Sequence, residues 1–354
     1  MKFKIWMMIS LLSLSFVGCK KPSPLPEGTN NALKNGLLVL NDGLFQLNNS
    51  SMSWVDLATG TVNNQIFEER TGRQLGDTGN DMLIYGAKLY IVTSVSSTLE
   101  VLDALTLNSI QQLSIVENGT AQQPQNITAI NGEIYISTFG GKVWCIDTTT
   151  LTVKSKIQVG LNPDRITNDG TYIFVSNSGG LNNPIYDSTV SVINPITKTE
   201  VKRITVGMNP GGIIVAPDHN IYVLTRGNYI DVPAQLHKIN GQSLTKDTSY
   251  AIEAAYLENY SNSHFVIAYY TNQDNMTLAK FNLQEQKLEQ QNFISIADFT
   301  TFYGIIYAPK AHRFYLKDAG NYTNQGKIKC YSEQGTLLNT YNVGLNPNKV
   351  IYYE

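Results

Sequence analysis

One phrase occurs three times in this chain. "KIQVGLNPDRI" occupies 156–166, "RITVGMNPGGI" occupies 203–213 and "TYNVGLNPNKV" occupies 340–350. The glycines Gly160, Gly207 and Gly344 stand about 47 and about 137 residues apart, and the second gap is about three times 46. A period of this size fits a propeller blade of four strands. Within the phrase a valine ends one strand and a glycine permits a tight turn or a close backbone approach. The asparagine supports the loop by local hydrogen bonding, and the proline opens the next strand, where its missing N–H is tolerated.

Two further lines run through the repeat. "GLLVLND", "KLYIVTS", "EIYISTF", "YIFVSNS", "NIYVLTR", "HFVIAYY" and "RFYLKDA" are apolar or alternating runs of strand length. Each is followed by a third-line strand: "SMSWVDL", "TLEVLDA", "KVWCIDT", "TVSVINP", "QLHKING", "TLAKFNL" and "KIKCYSE". Both lines contain seven members, so an all-β, seven-bladed propeller with four-stranded blades is predicted. The strand after "NP" is innermost, the "IYV" strand second, the "V-x-V-I-D" strand third and the "I-x-VG" strand outermost. The first blade, beginning at Gly36, lacks an innermost strand. The chain finishes on "NPNKVIYYE", an innermost strand with no blade after it, so the ring is expected to close through the C-terminal strand. Closure pairs strands that would otherwise be edges.

The remaining segments are assigned around that ring. "MKFKIWMMISLLSLSFVGC" has a basic start, an apolar stretch and small residues before Cys19, and reads as an export signal over 1–18. "FVGC" resembles a bacterial lipobox, with Cys19 as the lipidated residue. Residues 19–35 form a Pro-rich, polar tether, and 36–354 form a single propeller. No later apolar run approaches the roughly 20 residues that a membrane helix needs. Net charge is -2 and charged residues make up 15%, so no basic stripe suggests nucleic acid as a partner. Cys145 and Cys330 fall at one register of two blades far apart in the ring, beyond disulfide reach, and are expected as separate buried thiols.

Polar residues that suggest chemistry are weighed against the repeat. Asp56, Asp103 and Asp147 are equivalent to Asn194, Asn240 and Ser332, which favours turn capping over catalysis. His219, His264 and His312 precede second strands on separate blades, and His237 lies in a third strand. Ligands on diverging turns do not converge on a metal, so neither a metal site nor a catalytic residue is expected. The loops between second and third strands gather with the "NP" turns on one face. They are long in blades 1, 4, 5 and 7 and carry Asn, Tyr, Phe, Arg and Gly, the residues that binding surfaces favour. The candidate ligand-binding residues are Asn41, Phe45, Phe139, Arg165, Asn177, Tyr186, Arg226, Tyr229, Asp318 and Tyr322. Arg165 and Arg226 supply charged donors for a phosphate or amide oxygen. Tyr186, Tyr229 and Tyr322 supply flat contact area and a hydroxyl.

"RQLGDTGNDMLIYGAKLYIVTSVSSTLEVLDALT", "VSNSGGLNNPIYDSTVSVIN" and the repeated "VG-x-NP" resemble the seven-bladed propeller lipoproteins of Bacteroidetes, relatives of the YncE-like propellers. The resemblance covers nearly all of residues 36–354. It extends to the BtuG-type surface proteins, which bind vitamin B12 and cap a TonB-dependent outer-membrane transporter. The resemblance implies a lipid-anchored outer-membrane protein at the cell surface, with cobalamin or another corrinoid as its bound ligand, not as a catalytic cofactor. Cys19 is followed by "KKPSP" rather than by an acidic cluster, which leaves a periplasm-facing position open. Two other classes also stay open: a binding module for a glycan, peptide or partner lipoprotein, and a propeller enzyme of lactonase or lyase type.

Overall fold

The strand-length runs become strands because their side chains alternate between two apolar faces. In the computed structural model, which describes residues 32–272 and 275–354, seven antiparallel four-stranded sheets follow one another along the chain. The leader over 1–18, Cys19 and most of the tether lie outside the described residues. Blade 2 is built from 79–85, 88–93, 98–103 and 109–114, and blade 3 from 124–130, 133–138, 142–147 and 153–158. Blade 4 takes 163–168, 173–177, 189–194 and 199–205, and blade 5 takes 210–215, 221–225, 235–240 and 245–250. Blade 6 takes 254–261, 264–272, 275–282 and 287–289, and blade 7 takes 302–308, 313–318, 327–332 and 337–342.

Blade 1 is completed from the other end of the chain, as the sequence predicts. Strand Gly36–Asn41 pairs on one side with Ser51–Asp56 and on the other with Pro347–Tyr353. The closing register places Gly36 opposite Tyr353 and Val39 opposite Val350.

Among the described residues the core is divided around the ring rather than gathered at one centre. Seven apolar clusters each lie between two neighbouring blades, and side-chain alternation assigns residues to them. Leu38 and Leu40 pack toward blade 2 with Met82, Leu89 and Ile91, whereas Leu37 and Val39 pack toward blade 7 with Tyr315, Ile328 and Cys330. Cys145 belongs to the cluster between blades 3 and 4, and both thiols are buried and unpaired. Each second strand therefore reads as a near-continuous apolar run, because both of its faces are covered.

The outer turns follow the repeat as well. Asp56, Asp103, Asp147, Asn194, Asn240 and Asn282 each accept two backbone N–H bonds, from residues two and three positions on, and Ser332 accepts from residues two and four positions on. This is the turn chemistry expected of short polar side chains. Two elements depart from the repeat. Helix Ile66–Thr71 inserts Ile66 and Phe67 into the cluster between blades 1 and 2, beside an outermost strand of only two residues, Val62–Asn63. A two-stranded ribbon over 116–117 and 120–121 lies between blades 2 and 3.

Candidate functional site

The "VG-x-NP" turns build the mouth of the ring. Asn162, Asn209 and Asn346 all adopt left-handed backbone, with φ of 40°, 58° and 57°, which Asn tolerates better than most residues. The preceding glycines are needed for close approach. A Cβ on Gly160 would stand 2.5 Å from Asn177 Cγ, one on Gly207 2.6 Å from His237 Nε2, and one on Gly344 2.5 Å from Asn41 Nδ2. The loop after each second strand then clasps the turn: Ser178 N donates to Asn162 O, Arg226 N to Asn209 O, and Asp42 N to Asn346 O.

Inside the ring a cavity of about 1620 Å³ runs from Tyr229 and Pro233 on this loop face to Pro309 and Glu354 on the other. Its wall alternates charge. Arg226 Nη2 lies 2.8 Å from Asp164 Oδ2, linking blade 5 to blade 4. It reaches over Gly211, where a Cβ would sit 2.5 Å from the Arg226 Cζ. Burial opposes the Arg226 charge, but Asp164 beside it prevails and holds the guanidinium above its ordinary value. Arg165 Nε is 3.8 Å from the same carboxylate, at Oδ1. Lys349 Nζ lies 3.0 Å from Asp81 Oδ1, and Asp81 Oδ2 accepts the Ile127 N–H at 3.1 Å. Tyr303 donates its hydroxyl to Asp42 Oδ2 at 3.0 Å, joining blade 7 to blade 1. Burial pushes the Asp42 carboxyl up to about 7, with the Tyr303 bond opposing it in part. Burial likewise raises Glu258, which accepts from Tyr307 N, to about 7.

The ten candidate residues divide sharply. Phe45, Tyr229 and Tyr322 are exposed on the loop face at 70%, 71% and 47%. Tyr186 stacks edge-on with Tyr229 at 6.4 Å, so the long loops of blades 4 and 5 meet. Arg165, Arg226 and Tyr229 line the cavity. Phe139 is half-buried, and its carbonyl accepts from Asn162 Nδ2 of the next blade's turn. Asn41, Asn177 and Asp318 are buried and engaged internally. Asn177 Oδ1 accepts from Gly160 N, and its amide donates to Thr189 and Ser191. Asn41 donates to Ser51 and Ser53. Asp318 accepts from the backbone of Thr300, Thr301 and Gly320. Asp81, Tyr256, Glu258, Lys317 and Lys349 line the cavity and are absent from the candidate set, as is Asp164, which pairs with the cavity residue Arg226. Inner-strand position just after each "NP" proline would have flagged Asp164, but Lys317 is legible only as a charge inside an apolar second strand.

The histidines lie elsewhere. His264 Nε2 pairs with Glu289 at 3.2 Å and His312 Nδ1 with Glu333 at 3.4 Å, each within its own blade, and His219 is exposed in a turn. His237 is buried between Thr225 and Ser249, and burial pushes it down to about 4.

Seven closed blades around a charged cavity, with exposed aromatic rings on one face, define a seven-bladed β-propeller. The chain belongs to the family described as a domain of unknown function, DUF5074, which it matches over residues 35–350. No curated protein matches it. Solved propellers share the fold at low identity. A quinonprotein alcohol dehydrogenase-like protein from Bacteroides thetaiotaomicron is 15% identical with a TM-score of 0.67, over 92% of this chain and 80% of that one. Hydrazine synthase from Kuenenia stuttgartiensis is 15% identical with a TM-score of 0.62, over 74% and 85%. BamB from Moraxella catarrhalis is 14% identical with a TM-score of 0.55, over 88% and 83%.

Proposed function

We propose that this chain is a non-enzymatic envelope lipoprotein that captures a corrinoid, cobalamin above all, on its loop face for a TonB-dependent outer-membrane transporter. One observation carries the reading: exposed aromatic rings in the loops of blades 1, 5 and 7 share a face with a wide cavity, which Tyr229 among them lines and whose wall presents guanidinium, amide and hydroxyl groups. A corrinoid is a broad disc with apolar faces and an amide-bearing edge. Flat aromatic contact and hydrogen-bonding side chains suit those two surfaces. The lipid anchor and the outer-membrane location rest on the leader and Cys19.

The experiment is retention of red colour when the protein is mixed with cyanocobalamin and passed through a sizing column. Changing Arg226 and Tyr229 together to Ala should weaken binding more than about thirtyfold, roughly 2 kcal/mol, because a few anchors dominate such surfaces. The His219→Ala, His264→Ala and His312→Ala substitutions should leave it unchanged. Colour that survives the loop changes and disappears with the histidine changes places the ligand on the opposite face.

A second reading has its own support. Leu47, Leu181, Ile185 and Ile230 are also exposed on the loop face, and aliphatic side chains there suit a peptide or a partner protein. A protein that binds no cyanocobalamin but retains a peptide or lipoprotein through these residues would replace the corrinoid reading.

A further inference from the structure

Lys317 is the last-but-one residue of the second strand of blade 7, a position held by small or apolar side chains in the other blades: Leu40, Val92, Ser137, Ser176, Leu224 and Ala268. Ser137 and Ser176 use it to bond a carbonyl in the next blade, those of Asp164 and Gly211. Lys317 does the same, donating to the Asn348 carbonyl. A serine suffices for that bond, so the lysine brings something further: a charge. The side chain is 8% exposed, and among the described residues no carboxylate forms an ion pair with it. An ammonium has three N–H donors, and a buried charge is costly unless paired.

The amine reaches the cavity through a gap in the inner strand. Gly304 has left-handed φ, and a Cβ there would stand 2.9 Å from Lys317 Nζ and 3.3 Å from Tyr256 Cδ1. The Tyr256 ring therefore borders the ammonium, and the Tyr256 hydroxyl has no hydrogen-bond partner among the described residues. Arg165 faces the same space. Its side chain is 43% exposed, and the one carboxylate that pairs with it among the described residues, Asp164 at 3.8 Å, is held more closely by Arg226. Two guanidinium groups thus share one carboxylate, and Lys317 has none.

The geometry points to a subsite for an anionic oxygen cluster, a phosphate group, in the throat of the cavity, bound by Lys317, Arg165 and the Tyr256 hydroxyl. A phosphate offers acceptors to all three donors and supplies the missing counter-charge. Glu258 lines the same cavity, and Asp42 is held by the Tyr303 hydroxyl; burial pushes both carboxyls up to about 7, and their protonated forms leave the cationic balance intact. The Arg165 and Lys349 charges, after burial itself, push the Lys317 amine down to about 7, the mark of a cation lacking its counter-ion. This subsite rests on the reading of the propeller as a binding protein, but not on the ligand being a corrinoid.

The test is isothermal titration of the purified protein with inorganic phosphate and, separately, with dimethyl phosphate, at fixed ionic strength in a buffer free of other oxyanions. Saturable binding is expected for at least one. Binding of both assigns the subsite to a ligand-borne phosphodiester, whereas binding of inorganic phosphate alone assigns it to a free dianion. Lys317→Met and Arg165→Gln should each weaken binding by about tenfold or more. Tyr256→Phe should weaken it less, and His312→Ala should leave it unchanged. Lys317→Met should also raise the melting temperature in phosphate-free buffer, which separates a lost site from a lost fold. Absence of saturable binding, or binding that survives both charge substitutions, overturns the subsite. Phosphate binding without retention of cyanocobalamin leaves the subsite standing and removes the corrinoid reading; the reverse result removes the subsite alone.

Discussion

Asn41, Asn177 and Asp318 occupy one position in three blades, the end of the second strand, and Thr93, Thr138 and Thr225 hold it in three others. Their side chains fasten the neighbouring turn or third strand, whichever blade they are in. Asn177→Ala leaves the Gly160 N–H and the Ser191 hydroxyl without their partner, whereas the Thr189 hydroxyl keeps its bond to Asp187. An unsatisfied buried group costs about 1–3 kcal/mol, so the expected outcome is a lower denaturant midpoint with ligand affinity unchanged. A lost affinity at undiminished stability would return Asn177 to the binding surface. These three residues look like loop residues in the sequence, yet aligning the second-strand lines puts them in register with threonines. Aligning the third-strand lines in the same way identified Asp56, Asp103 and Asp147 as turn residues. Arg226 was legible as a loop charge and Asp164 as the residue after an "NP" proline, but their pairing was not, because it joins residues 62 positions apart on two blades.

At the scale of strands, the seven second and seven third strands were readable because period-two alternation and apolar runs survive in each. Helix Ile66–Thr71 was not. It has six residues, too few for a helical period to show, and it forms because Ile66 and Phe67 fill the space beside a short outer strand. The inner strands carry a further consequence. Glu258 on blade 6 accepts the Tyr307 N–H of blade 7, and Asp42 follows the second strand of blade 1. Both carboxyls have folded values near 7, above their unfolded values of about 4. They therefore hold protons more tightly in the fold, and their contribution to stability is lost as pH rises from about 4 to about 7. Lys317 acts in the opposite direction, since its folded value near 7 lies below its unfolded one, and stability returns as pH rises from about 7 toward 10. A melting temperature that dips near neutrality follows. Glu258→Gln should make the acid side of the dip shallower, and Lys317→Met the alkaline side. A profile unaltered by either substitution would show that these groups titrate alike in the folded and unfolded chain.

The closure of the ring belongs to the whole molecule, and it was readable because two defects in the repeat cancel: a first blade without an inner strand and a last strand without a blade. What no repeat count reveals is how much the closing strand does besides pairing. Val350 is buried between blades 1 and 7, and Tyr353 between blades 1 and 2. Tyr353 also stacks edge-on against Trp54 at 5.5 Å and donates its hydroxyl to the Ala104 carbonyl at 2.7 Å. Lys349 reaches Asp81 on blade 2, and Asn348 donates to the Asn80 carbonyl there. The strand thus fastens blade 1 to both neighbours. Deleting residues 347–354 exposes one edge of Gly36–Asn41, opens two apolar clusters and leaves the buried Asp81 without its lysine. Burying a single large apolar side chain contributes about 1.5–3 kcal/mol, so losing Val350 and Tyr353 alone removes several kcal/mol. An unpaired apolar strand is also a template for another chain. The truncated protein should melt far below the intact one and elute as aggregates on a sizing column. Single changes grade the effect: Val350→Ala should cost less than the deletion and keep the protein monomeric, because the backbone ladder from Gly36–Tyr353 to Asn41–Pro347 remains. A deletion variant that stays monomeric and melts within about a degree or two of the intact chain, against a shift of several degrees for even a small loss of stability, would mean that blade 1 holds together without its clasp.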